Sequence, residues 1–519
     1  MTFKDGNPSR VERLLRIVPA GLTLGIFTAI AVLSLIAPRF IASVMLLYVL
    51  YWFLKSILMS AHLIAGYRSY RRAIAMNWMN KLEHDPAVQG NWRDIWHLLI
   101  IPNAIEDASI VRATIEAIAA TPYPKDRIIV VLANEARFPE IAKTNQHELS
   151  KQFSKVFAHF WSTLHPDGVV GEIRGKGANL SYAARTILPK ITALGIKPED
   201  ILVTTLDSDN RVHPQFLPAV THAYLTTPGN RTEKSFQPLP MFFNNIWSVP
   251  YVIRSIAVGS SFWHMIEATR PYRLRNFSAH TQSLALLLQT DFWSTNTIVE
   301  DGHQYWRSLF ATQGRHTVTP VFVPIYQDAV LSPKGQLMTY REQYMQKLRW
   351  AWGASDIPYT LTRLWAGRKE LPIGVWMQAS RLIEGHFSWA ATSLLLALFG
   401  WLPILLNPDF QGTVFSYYFT IFYQRMLLFA GVGMVVTLVI SRLLLPPRPR
   451  HRLTSNDFIE WILTPFLLPI TNIIFASMPA IDAQLRIARG KELGFRITEK
   501  AVERAALPIT TDTKSKLTA

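Results

Sequence analysis

The sequence predicts an α/β domain built on a parallel sheet and set between apolar helices long enough to cross a bilayer. Three observations carry this expectation. His97-Leu98-Leu99-Ile100-Ile101-Pro102, Arg127-Ile128-Ile129-Val130-Val131-Leu132 and Ile201 to Leu206 are short, almost unbroken apolar runs, as strands buried on both faces require. Ser109 to Ala120 lies between the first two with apolar residues at helical spacing, so the unit reads strand-helix-strand. Val18–Ala37 and Ile41–Gly66 precede this stretch, and Phe387–Leu406 and Phe415–Ile440 follow it, all apolar at membrane length.

The elements can be taken in order. Lys4, Arg10, Arg13 and Arg16 precede the first apolar run, and at ~1.5 Å of rise per residue that run spans a bilayer core. Pro38-Arg39 separates it from the second run, which is interrupted only by Lys55 and His62 and ends at Tyr67-Arg68-Ser69-Tyr70-Arg71-Arg72. Positive charge at both ends of this helical hairpin places both in the cytoplasm. No small-x-small cleavage pattern follows the first run, so it is expected to be retained. The α/β pattern then holds from about Asp94 to Asp328.

From Trp352 to Glu384, Trp, Arg and Lys are interleaved as in helices lying at a membrane interface. Asn407-Pro408-Asp409 separates the later spans, and Arg442 to Arg452 is basic and cytoplasmic by charge. Ile459–Ile481 carries Pro465, Pro469 and Pro479 and reads as a re-entrant or broken segment, which keeps the basic tail with Arg486, Arg489, Lys491 and Arg496 inside. Lys55 and Arg425 are charges within apolar runs, and snorkelling to the surface is the simplest account of Lys55. From about Leu507 the chain is polar and expected to be disordered. Four regions follow: 1–66 with two spans, 67–357 as the cytoplasmic α/β domain, 358–481 with interfacial and spanning helices, and 482–519 as a cytoplasmic tail.

Composition narrows the function classes. Of 519 residues 49% are hydrophobic and 17% charged, apolar for a soluble chain of this length. The formal charge of +17, from 53 Lys and Arg against 36 Asp and Glu, suits an anionic membrane face and a phosphorylated substrate. Zinc-finger spacing, RNA-binding signatures and long Lys/Arg tracts are absent, which sets nucleic acid aside as a partner. With no cysteine, disulfides, thiol catalysis and Cys-ligated metal are excluded.

Three motifs carry chemistry. Asp207-Ser208-Asp209 follows a strand directly. Two aspartates there often form only a turn or cap, but their hard oxygens also suit Mg²⁺ or Mn²⁺ on a diphosphate. Glu300-Asp301 precedes the helix-like His303–Phe310 and either caps that helix or supplies a base for an attacking hydroxyl. Gln346-Lys347-Leu348-Arg349-Trp350 puts Gln346, Arg349 and Trp350 on one helical face. Arg349 can neutralise a departing diphosphate and Trp350 offers a flat platform to a pyranose, or the two anchor the chain at an interface.

In this order the motifs resemble the membrane-integrated members of glycosyltransferase family 2, such as cellulose, chitin and hyaluronan synthases, over about residues 95–355. The resemblance implies an α/β GT-A fold, a nucleotide-sugar donor and a divalent cation, Mg²⁺ or Mn²⁺. It implies that Pro102 and Glu106 form the turn near the nucleotide base, that Asp207 and Asp209 bind diphosphate and metal, and that Asp301, next to Glu300, is the base. Gln346, Arg349 and Trp350 would line acceptor and leaving group. Arg174-Gly175-Lys176-Gly177-Ala178-Asn179 resembles the basic segment before the metal motif and reads as a flexible, cationic loop suited to phosphate. Phe495-x-Ile497-Thr498-x-Lys500 resembles the gating loop of cellulose synthases, which brings Thr498 and Lys500 to the donor. Two positions depart from the pattern. Leu132-Ala133-Asn134-Glu135 stands where the family has an aspartate pair, leaving Glu135 as the base contact, and Val299 replaces the usual Thr.

The expected activity is therefore inverting, metal-dependent transfer from a nucleotide sugar, first of all a UDP-sugar, to a growing polysaccharide at the cytoplasmic face of the cell membrane. A membrane lipid receiving one sugar is the close alternative. A transporter or channel with a nucleotide-sensing domain is the alternative from another class. A partner subunit that carries the product onward is compatible with each.

Overall fold

A computed structural model of the chain describes residues 9–88, 91–447, 467, 469–491 and 493–494. It packs into two compact units, one centred on Gly66–Thr339 and the other made of Asn7–Ala65 with Tyr340–Leu493.

The first unit is built on an eight-stranded sheet. Its strands are β1 (Trp96–Asn103), β2 (Ile128–Glu135), β3 (His159–His165), β4 (Ile201–Thr205), β5 (Arg211–Val212), β6 (Lys234–Met241), β7 (His280–Ser283) and β8 (Thr317–Tyr326), in the spatial order β3-β2-β1-β4-β7-β6-β8-β5. The β3-β2-β1-β4 half is parallel throughout. Beyond β4 the sheet is mixed: β7 runs antiparallel to both β4 and β6, and β6 runs parallel to β8.

The three apolar runs of the sequence are β1, β2 and β4, and they read as continuous because both faces are covered. Leu99, Ile101, Val130, Leu132 and Leu202 pack into one core, while Leu98, Ile100, Ile129, Val131 and Val203 pack into the other. The expected crossover is the helix Ala108–Ala119, whose N-terminus is capped by the Asp107 carboxylate accepting from the Ser109 N–H at 2.8 Å. The chain leaves β1 towards β2 and β3 on one side and returns to β4 on the other. The crevice beyond the carboxyl ends of β1 and β4 is thus a topological switch point, where open α/β sheets take their ligands.

The second unit is helical. Val18–Ile36 and Pro38–Ala75 follow one another, with Pro38 in the first turn, where its missing N–H leaves no helical bond unmade. The second helix continues past its expected end at Gly66. Three helices of the described chain, Arg10–Ile36, Pro38–Ala75 and Val414–Leu444, are long and apolar enough to cross a membrane.

The span expected at Phe387–Leu406 is different. A helix Ile373–Ala397 meets Phe399–Leu406 at a bend of 47°. The cause lies at Gly400, where a Cβ would come within 2.2 Å of the Tyr423 hydroxyl. That hydroxyl donates to the Leu396 carbonyl at 3.0 Å, the acceptor an unbroken helix would have used for the Gly400 N–H.

Lys55 does not snorkel alone: its Nζ lies 3.2 Å from Glu384 Oε1 and 4.3 Å from the centre of the Trp52 ring. Of the Pro-containing stretch Ile459–Ile481, residues 459–466 and 468 lie outside the described residues, and the remainder contains a π-helical turn at Ile473–Ser477.

Candidate active site

The switch-point edge is tied together by side-chain amides. At the end of β1, Asn103 Nδ2 donates to Asn134 Oδ1 at 2.9 Å, and Asn134 Nδ2 donates on to Ser162 Oγ of β3 at 3.0 Å. Asn179 Nδ2 donates to the Ala133 carbonyl at 2.8 Å, pinning the first turn of the helix Lys176–Ala193 to the end of β2. The Arg174–Asn179 segment is therefore not a flexible loop beyond Gly175. Lys176 opens a helix, and Arg174 is held outside by Asp167 at 2.9 and 3.0 Å.

Asp207 follows β4 after one residue. Its N–H donates to Asn210 Oδ1 at 2.9 Å, closing the kind of turn that Asp-Ser-Asp-Asn favours. Thr114 Oγ1 fixes the same turn by donating to the Ser208 carbonyl at 2.7 Å. Asp209 is largely buried; its carbonyl accepts from Asn244 Nδ2 at 2.9 Å and its Oδ2 from the Asp328 N–H at 3.0 Å.

Glu300 and Asp301 occupy the first turn of the helix Glu300–Ala311, where the helix dipole favours negative charge. Asp301 Oδ1 accepts from the Gly302 N–H at 2.8 Å. The cap position itself is Val299, without a side-chain cap bond, so the acids lie inside the first turn rather than capping it, and Glu300 faces Lys176. Gly177 makes that approach possible: a Cβ there would lie 2.4 Å from the Ser294 carbonyl oxygen and 2.9 Å from Glu300 Cβ.

Lys176 is the hub. Its Nζ donates to Asp207 Oδ1 at 2.7 Å and to the Ser278 carbonyl at 2.9 Å, and lies 3.8 Å from Glu300 Oε1. Burial pulls its ammonium down, but Asp207 and Glu300 outweigh burial and hold its pKa above the ordinary lysine value. Burial pushes the Glu300 carboxyl up to about 8, with Lys176 opposing and Asp301 adding to the rise. Lys176, Asp207, Glu300 and Asp301 thus form one electrostatic cluster at the sheet edge. Ser278, whose carbonyl completes it, lies 102 residues from Lys176 in sequence and gave no signal there.

The other expected residues are placed as follows. Pro102 sits near the end of β1, paired with Ala133 across the sheet, and Glu106 Oε2 accepts from the Ala104 N–H at 2.9 Å in the turn beyond. Glu135 ends β2, where Arg137 bonds its Oε2 and burial raises its carboxyl. It lines a cavity of about 110 Å³ together with Arg137, His165 and Glu172. The last two form a pair that the sequence did not mark, at 2.9 Å.

Gln346, Arg349 and Trp350 belong to the other unit, on the helix Gln336–Ala351. Gln346 Oε1 accepts from Gln343 Nε2 at 3.2 Å, and the Lys347 ammonium lies 4.2 Å from the Trp350 ring centre. Burial draws the Lys347 ammonium down to about 7. Thr498 and Lys500 lie outside the described residues.

Asp207 and Asp209 offer hard carboxylate oxygens of the kind Mg²⁺ and Mn²⁺ take, yet each already has one oxygen in a hydrogen bond. Among the described residues no group of three or more His, Asp and Glu is arranged around a metal position. The donor set fits a cation held by one or two carboxylates and completed by substrate phosphates and water.

No protein-family model matches the chain, and neither does any curated protein. Among solved structures, it is similar to a mannosyltransferase from Pyrobaculum calidifontis in complex with GDP-Man and Mn²⁺, at 15% identity and a TM-score of 0.42, covering 84% of this chain and 100% of that one. It is also similar to TarS from S. aureus in complex with UDP-GlcNAc, at 14% identity and a TM-score of 0.30, covering 62% of this chain and 91% of that one. At such scores the likeness says nothing of this chain's chemistry.

Proposed function

We propose that this chain is an inverting glycosyltransferase that moves a sugar from a nucleotide-sugar donor, first of all a UDP-sugar, to a growing polysaccharide at the cytoplasmic face of a membrane. The observation that carries this is the meeting of Asp207, Glu300 and Asp301 around the buried Lys176 at the switch point. Such an edge takes a diphosphate and places a base beside it.

In the proposed reaction the acceptor hydroxyl attacks the anomeric carbon, its proton passes to the Asp301 carboxylate, and the sugar–phosphate bond breaks with its electrons leaving on the nucleotide diphosphate. One carboxylate base is enough for inversion. Glu300, with its raised pKa, keeps a proton near neutrality, so the pair does not present two full charges to the acceptor. A divalent ion at Asp207 and Asp209 would neutralise charge on the leaving diphosphate. Pro102, Glu106 and Glu135 would border the base, Arg349 would assist departure, and Gln346 and Trp350 would hold the acceptor. Thr498 and Lys500 would close over the donor.

The test is nucleotide release by the purified full chain in nanodiscs. It uses a panel of UDP- and GDP-sugars with Mg²⁺ or Mn²⁺ and sizes the products. One donor is expected to be turned over into a ladder of products. Asp301→Asn should lose about 10²–10⁴-fold in rate while still binding the donor. Undiminished turnover in that variant would remove Asp301 as base. A single glycolipid product would move the acceptor to a lipid.

A further inference from the structure

We propose that Lys176 is a resident cation that holds Asp207 in the nucleotide-free protein, so that a divalent ion enters this centre only together with a nucleotide diphosphate. This rests on the donor reading above and adds to it an order of events and a residue that enforces it.

The geometry supports it in three ways. An ammonium has three N–H donors. Lys176 directs two of them at Asp207 Oδ1 at 2.7 Å and the Ser278 carbonyl at 2.9 Å, and Glu300 Oε1 lies 3.8 Å from its nitrogen. The side chain is only 10% exposed, so this charge is kept out of water by the fold and is retained because acceptors surround it. Its position is also enforced. Gly177 has no room for a Cβ, and Asn179 is bonded to the end of β2, so the helix start cannot easily withdraw.

A divalent ion approaching the nucleotide-free centre therefore meets a fixed positive charge within hydrogen-bonding distance of its main ligand. At such separations like charges repel strongly, the more so in a partly buried site. Asp209 has its Oδ2 engaged by the Asp328 N–H at 3.0 Å, so this oxygen must give up a backbone hydrogen bond to ligate the ion. A nucleotide diphosphate changes the balance. It brings negative charge that both cations can share, and oxygens that complete the coordination the protein leaves unfinished. Lys176 can then turn from Asp207 to phosphate, releasing the carboxylate to the ion. Because binding linkage is reciprocal, the ion and the nucleotide must tighten each other by the same factor.

Mn²⁺ binding to the full chain in nanodiscs, followed by electron paramagnetic resonance of the free ion, tests this without turnover. For the wild type, UDP or GDP should tighten Mn²⁺ at least about tenfold, a coupling of about 1.4 kcal/mol. Lys176→Met removes the charge at similar length and should bind Mn²⁺ about tenfold tighter than the wild type when no nucleotide is present. Adding Asp207→Asn to it should abolish that gain. Lys176→Met/Glu300→Gln also removes the buried carboxyl group that lies 3.8 Å from the lysine and serves if the single variant does not fold; the same tightening is expected of it. Unchanged Mn²⁺ affinity in a folded variant lacking Lys176 overturns the proposal. Failure of the donor reading is distinguishable: no nucleotide would bind to any form, while the gain on removing Lys176 would remain.

Discussion

Lys176 in the α/β unit and Lys55 in the helical unit are both withdrawn from solvent beside a carboxylate, yet their charge balances differ. Lys176 faces Asp207 and Glu300 directly and feels Asp301 as well. Lys55 faces one carboxylate, Glu384, and rests on the rings of Trp52 and Tyr51. A centre with more negative charge than its lysine can neutralise favours uptake of a proton, as burial and Asp301 do at Glu300, whose pKa is raised. Lys55, with a single carboxylate beside it, has no such surplus. Lys176 is thus the lysine with a surplus of acid around it, while Lys55 is accounted for by the pairing of two helices.

The comparison breaks most sharply at Gly177. Alanine there would drive a Cβ to 2.4 Å from a backbone oxygen at Ser294, which cannot swing aside as a side chain would. Gly177→Ala is expected to destabilise the chain by about 1–3 kcal/mol, as overpacking does. It should also cut turnover by about 10²-fold through the displaced Lys176. Gly259, in the helix Tyr251–Ala268, has nothing within 4 Å of its would-be Cβ and is the control. Gly259→Ala should melt at or above the wild-type temperature. If the two variants melted alike, the tight approach of the two helix starts would not be what positions Lys176.

A smaller effect, in the pH dependence of stability, sharpens the same contrast. The folded chain holds the Glu300 proton up to about 8, whereas the unfolded chain releases it in the ordinary carboxylate range. Between those limits the unfolded state binds fewer protons, so stability falls as pH rises. Glu300→Gln keeps the shape without the titration. From about pH 5 to about pH 8 its melting temperature should fall less than that of the wild type. Parallel curves would mean that Glu300 is ionised in the folded protein.

How much of this was legible follows from what each residue does. β1, β2 and β4 were readable because a strand covered on both faces must be apolar at every position. β7 is equally buried, but its His280-Thr281-Gln282-Ser283 is polar, since it is held by hydrogen bonds such as that between Thr204 and Thr281 at 2.8 Å. No hydropathy pattern could have announced it. β6 contains two prolines and does not look like an interior strand. In the site, the acids could be singled out from their order along the chain. Their meeting with Lys176 depends on Gly177 and on the Ser278 carbonyl, and neither leaves a local sequence signature. Lys55 stands in the sequence as a lone charge because the Glu384 carboxylate it faces lies 329 residues away.

The smallest effect is expected at that pair, and it tests whether the second buried lysine is as quiet as its charge balance implies. Lys55→Met leaves Glu384 with the Ser388 hydroxyl, which donates to its Oε1 at 3.0 Å. The Glu384 side chain is 40% exposed, so its carboxylate keeps much of its hydration when Lys55 is removed. The loss should therefore stop near 1 kcal/mol, the scale of a partly exposed pair. Lys55→Met/Glu384→Gln should then match Lys55→Met within about 0.5 kcal/mol, because a partly exposed carboxylate costs little once its partner is gone. Thermal melting of the wild type and the two variants in nanodiscs reads both differences directly, with nucleotide release measured alongside. Loss of turnover with the fold intact would place Lys55 and Glu384 on the path of the substrate and end the contrast between the two lysines.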